Sequence, residues 1–218
     1  MSTNKLIQWS GFSLVLAGLL LTLGNIIHPS NEIPQTILAM ESRLITGHWL
    51  LTLYAAFFLL GIVGVYASHA NQFGRLGLVA FVLLFFGTIF YAVSSDYGFN
   101  APVLARLAPQ TLTAINAYPP VMVMDALFVL FLLVGFILFG ISILRSKTFP
   151  VWTGVFLIIG WPLYMLASAI ALLVLEPMWS VAILGSFVVS LGLGGIGYRI
   201  WASNERTVLQ PVDIGIDI

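Results

Sequence analysis

The chain has 218 residues, of which 60% are hydrophobic and 7% charged, and its formal net charge is zero. A soluble domain carries about 25% charged residues, so a water-facing surface is excluded, and a mean hydropathy of +1.07 agrees. Zero net charge leaves no basic footprint for nucleic acid. The absence of cysteine excludes disulfides, thiolate metal sites and thiol nucleophiles.

Six apolar segments approach the roughly 20 residues that a bilayer core requires. The first, residues 6–27, follows Lys5 as a secretory signal would. It is long enough to span, and His28-Pro29 stands where a small-x-small cleavage site would be, so it reads as an uncleaved helix. A connection follows in which residues 33–42 space their apolar positions as a short surface helix. The second and third spans are 44–67 and 76–97. Residues 102–115 repeat the short-helix pattern before the fourth span, 121–144. The fifth, 151–175, contains Pro162, which removes a backbone hydrogen bond and predicts a kink. Glu176-Pro177-Met178 separates it from the sixth, 179–201. Residues 204–218 read as a polar, extended tail. The fold class is therefore all-α, a six-helix integral membrane bundle in one transmembrane domain, residues 1–203.

Lysine and arginine near span ends set the orientation. The termini and the connections after spans two and four hold Lys5, Arg75, Arg145, Lys147, Arg199 and Arg206; the opposite side holds Arg43 and Arg106. Both termini are thus expected in the cytoplasm of a bacterial cell, in the plasma (inner) membrane. Trp9, Trp49, Trp152, Trp179 and Trp201 fall near span ends, as an interfacial aromatic belt requires.

The sixth span carries Ala182, Ser186, Ser190 and Gly194 at intervals of four. Such a stripe lets another helix approach closely, within the bundle or on a partner subunit. The run from Gly192 to Gly197 follows no strand, so it is not a nucleotide loop.

Polar groups at membrane depth are costly and mark candidate sites. His28 closes the first span, His48 lies one turn into the second, Asp96 closes the third and Asp125 lies one turn into the fourth, all at the outer level. Glu41 and Glu176 share that depth. Three readings are open. His28, His48, Asp96 and Asp125 could ligate a divalent metal, since imidazole with carboxylate suits zinc or iron. His48 could bind a haem or a chlorophyll magnesium, or line a pigment or quinone pocket. Otherwise these groups cap helix ends and face interfacial water. No nucleophile elbow and no catalytic residue stands out, and the nearly charge-free middle argues against ion transport.

Gly24-Asn25-Ile26-Ile27-His28-Pro29 resembles the close of the first helix in a group of small bacterial multi-pass membrane proteins that have no assigned activity. Gly47-His48-Trp49, Gly61-Ile62-Val63-Gly64-Val65-Tyr66, Arg75-Leu76-Gly77 and Phe99-x-x-Pro102 are similar to that group too. The resemblance covers the first half of the chain and implies that His28 and His48 belong to a recurring outer-face arrangement.

Two functions are expected from these features. One is a non-catalytic subunit of a larger membrane complex, in contact with lipid and with other subunits through the stripe on the sixth span. The other is a small membrane enzyme or redox protein with an outer-face site.

Overall fold

The computed structural model describes residues 3–173 and 177–207. These residues are helical throughout apart from short turns, with no strand among them. In chain order the helices are α1 (Thr3–Ile27), α2 (Pro34–Ala39), α3 (Glu41–Ser95), α4 (Tyr97–Leu107), α5 (Pro109–Asn116), α6 (Pro119–Ser146), α7 (Val151–Leu173) and α8 (Pro177–Thr207). Five of them are long and apolar enough to cross a membrane.

The 55-residue α3 is bent back on itself. Its backbone leaves helical geometry at His69 (φ −131°, ψ 15°) and at Gly74 (φ 60°, ψ −155°). The conformation of Gly74 is essentially closed to residues with a Cβ. The two arms then run antiparallel: the Tyr66 and Phe81 rings stack 4.6 Å apart, and those of Tyr54 and Tyr91 meet at 5.9 Å.

The other neighbours are antiparallel as well, and small residues set their spacing. On α1, Ser10, Leu14, Gly24 and His28 meet Gly64, Gly61, Leu51 and Gly47 of the first α3 arm in reverse order. The second arm packs on α6 through Gly87 against Leu132 and Leu84 against Gly135. Gly140 of α6 meets Gly154 of α7, and Gly160 of α7 meets Gly185 and Val189 of α8. Gly11 and Gly18 of α1 close the ring against Gly197 and Ser190 of α8. Around the axis, Tyr54, Phe58, Phe136, Phe139 and Trp161 are fully buried. Lipid supplies no hydrophobic drive between helices, so this close backbone approach is what holds them.

The stripe on α8 is largely consumed inside the chain. Ala182 and Ser186 are fully buried, and the Ser190 hydroxyl donates to Gly18 O of α1 at 2.5 Å. Gly194 differs, because a Cβ there would meet nothing.

The short helices cap the bundle at the end where α1 stops. Ile37, Leu44, Ala101, Ala105 and Leu112 form a separate small core there, and Arg106 of α4 pairs with Glu41 at the start of α3. Arg43 donates to the carbonyls of Ile26 and Ile27, completing the C-terminus of α1. The expected surface helix at 33–42 is shorter, because the backbone breaks at Met40 (φ −125°) and Ser42 joins α3. The one at 102–115 is two helices, divided at Ala108. Pro109 pushes the preceding residue out of the α region, and Ala108 sits at φ −151°. At the other limit, α8 continues through the start of the expected tail to Thr207. Glu176 and residues 208–218 lie outside the described residues. Pro162 is accommodated within α7, which runs on to Leu173.

Candidate metal centre

The capped end holds a cavity of about 670 Å³ between the ends of α1, both arms of α3, α6, α7 and the first turn of α8. On one wall, three side chains converge. His28 follows the last turn of α1, Glu32 lies in the α1–α2 connection, and His48 lies two turns into α3. The Nε2 atoms of the two histidines are 3.2 Å apart. Glu32 Oε1 is 3.2 Å from His28 Nε2 and 3.8 Å from His48 Nε2. Both histidines are buried, and the Glu32 side chain keeps about a quarter of its surface.

Local sequence builds this wall. Gly47 has no side chain, so the start of α3 can lie directly against His28; a Cβ there would sit 3.1 Å from His28 Cα. Gly98, in the first turn of α4, lies flat against the His48 ring, where a Cβ would come within 2.1 Å of Cδ2 and Nε2. Trp179 and Phe99 close the flanks, with ring centroids 5.9 Å from His28 and 6.0 Å from His48 respectively. Pro29 ends α1 and turns the chain so that Glu32, four residues on, returns to His28.

The hydrogen bonding of His28 fixes its tautomer. Nδ1 lies 2.7 Å from Pro29 O, which can only accept, so Nδ1 carries the proton. In neutral His28 the Nε2 lone pair then points toward a carboxylate oxygen and a second imidazole nitrogen. His48 Nε2 either donates to that lone pair, in the tautomer that carries its proton there, or leaves two lone pairs and a carboxylate oxygen facing one point, where a proton or a metal ion would hold them. A point equidistant from the three atoms lies about 2.0 Å from each, within the range for zinc bonds to imidazole nitrogen and carboxylate oxygen. Burial alone would push the Glu32 carboxyl up. The hydrogen bond from protonated His28, and the positive charge of His28 and His48 when protonated, outweigh it and hold the carboxyl at about 2. Glu32 is therefore an anion across the ordinary pH range.

Of the four residues expected to ligate a metal, His28 and His48 are brought together. Asp125 lines the same cavity on the α6 wall, where its Oδ1 accepts from Ser94 at 2.6 Å. Asp96 stands apart. It is exposed at the junction of α3 and α4 and does not line the cavity; its backbone carbonyl accepts from Phe99 N. His48 Nε2 faces His28 and Glu32, while its Nδ1 has no hydrogen-bond partner among the described residues.

Glu32 is the member of this cluster that sequence reasoning missed. The signal was a carboxylate four residues after a histidine, hidden because Pro29, Ser30 and Asn31 between them read as a turn with no defined direction. Beneath the triad, Tyr164 donates to Asn25 Oδ1 at 3.0 Å and Asn25 donates to Leu21 O, tying α7 to α1 under the cavity floor. No protein-family model, no curated protein and no solved structure matches the chain.

Proposed function

We propose that this protein is a small bacterial inner-membrane metalloprotein with six crossings and cytoplasmic termini, holding one divalent zinc or iron ion on His28, Glu32 and His48. The observation that carries the reading is the convergence of two imidazole nitrogens and one carboxylate oxygen, with His28 Nε2 left as a lone pair by the bond at Nδ1. Two histidines and one carboxylate are the donor set both of zinc hydrolytic sites and of non-haem iron sites. Three protein ligands leave coordination positions open, and all three line the cavity. An ion in that position can polarise a bound group or activate water. The crossing count is supported by the doubled-back α3, and the orientation by six lysines and arginines against two. The alternative of an accessory subunit keeps the same bundle and needs no ion.

The test is metal analysis of protein purified without chelator. One equivalent of zinc or iron is expected, with His48→Ala and Glu32→Ala losing it while thermal unfolding stays cooperative. Wild-type protein that takes up neither ion, even when zinc or ferrous iron is supplied in excess, overturns the reading and leaves the accessory subunit.

A further inference from the structure

We propose that the cavity beside the triad binds a cationic amphiphile, a long-chain amine, with its ammonium group on Asp125. The inference rests on the reading of this cavity as the functional site, and it adds the class of molecule the cavity takes.

Charge carries it. Glu32 and Asp125 both line the cavity, and no lysine or arginine does among the described residues. The two arginines at this end are engaged elsewhere, Arg106 with Glu41 and Arg43 with the carbonyls of α1. Once a divalent ion is held on the triad, it offsets the charge of Glu32, and Asp125 remains a half-buried carboxylate whose donor among the described residues is the neutral Ser94 hydroxyl. A carboxylate removed from water is costly unless it is paired with a cation. An anionic head group would be repelled by Asp125 and drawn instead to the open positions of the ion. The rest of the lining is suited to hydrocarbon: Leu51, Phe128, Val129 and Met165 line it, and the volume is ordinary for a ligand site, about 300–1,000 Å³. His48, whose Nε2 belongs to the triad, is a second sign: it is 6% exposed, lines the same cavity, and its Nδ1 has no hydrogen-bond partner among the described residues.

Trp179 lines the cavity and reports on it. With full-length protein in zwitterionic nanodiscs, a brominated dodecylamine is expected to quench fluorescence saturably, and Trp179→Phe to remove the saturable component. Asp125→Asn should raise the half-saturation concentration at least tenfold, and Asp125→Glu, which keeps the charge, should retain binding. An equally long unbrominated alcohol should not compete, nor should an equally long unbrominated carboxylic acid with metal-free protein. Equal competition by the alcohol, absence of a saturable phase, or unchanged half-saturation in Asp125→Asn overturns the proposal. Each measurement is made with metal-loaded and metal-free protein. A metal-loaded protein that ignores the amine sinks this inference alone. An amine response that depends on Asp125 in protein unable to take up metal sinks the metal reading alone.

Discussion

At the scale of single residues, the geometry of the centre depends most on Gly98, which carries no chemistry of its own. Its Cα lies against the His48 ring so closely that a methyl group would overlap Nε2, the atom that faces His28 and Glu32. The ring must turn or α4 must lift. Gly98→Ala is therefore expected to weaken metal binding by about 10–100-fold, as disruption of a positioning contact does, at a stability cost of about 1–3 kcal/mol. Gly47→Ala is the matched control. Its Cβ would meet His28 only at 3.1–3.3 Å, so a shift of a few tenths of an ångström absorbs it. Chelator competition and thermal unfolding on both variants check the contrast; equal affinities would remove Gly98 from the account. Sequence depth alone was enough to link His28 with His48, because polar groups at one level of a bundle have few places to go. It could not separate Asp125, which faces the cavity, from Asp96, which does not. That difference depends on the direction in which α4 leaves α3, and no periodicity encodes it.

At the scale of elements, the bend in α3 is where one local rule decides the fold. Gly74 occupies a region of φ and ψ that glycine alone enters freely, and a Cβ there would meet nothing. Any cost of substitution is thus backbone strain and not crowding. Gly74→Ala should lower stability by about 1–3 kcal/mol, measured as a fall in thermal midpoint that Arg75→Ala does not reproduce. If the two variants melt alike, the turn does not depend on glycine. The span limits at 67 and 76 anticipated this turn, since hydropathy records where a chain leaves lipid. Hydropathy does not record the backbone of the turn, so it could not anticipate that the break falls at His69 and Gly74. The stripe on α8 was legible as a close-packing face for the same reason that Gly11 and Gly18 on α1 accept it: small residues let backbones meet. Its partners, α1 on one side and α7 on the other, follow from closure of the ring, which is a property of all the helices together.

At the scale of the whole molecule, the outer surface is inverted relative to a soluble protein. Leu19, Leu60, Leu166 and Phe187 are each about half exposed or more, while Asn25, His28, His48, Thr88 and Ser186 are buried. Apolar area of this extent is stable only against lipid or another apolar surface. Trp9, Trp49, Trp152 and Trp201 are exposed near helix ends, as anchors at the two interfaces should be. The chain contains no cysteine, so a single introduced thiol reports its own side of the membrane without background. Gln35 on α2 and Gln110 on α5 are exposed at the capped end; Gln72, in the α3 bend, and Lys147, after α6, are exposed at the other. In spheroplasts, an impermeant maleimide is expected to label Gln35→Cys and Gln110→Cys at once, and Gln72→Cys and Lys147→Cys only after permeabilisation. The reverse pattern would keep six crossings and turn the metal centre toward the cytoplasm, against the arginine and lysine bias. Labelling of Gln35→Cys and Gln72→Cys from the same side would mean that the first arm of α3 does not cross. The antiparallel ring could then not stand in a bilayer, because that arm is what carries the chain from the capped face, where His48 lies, to the other.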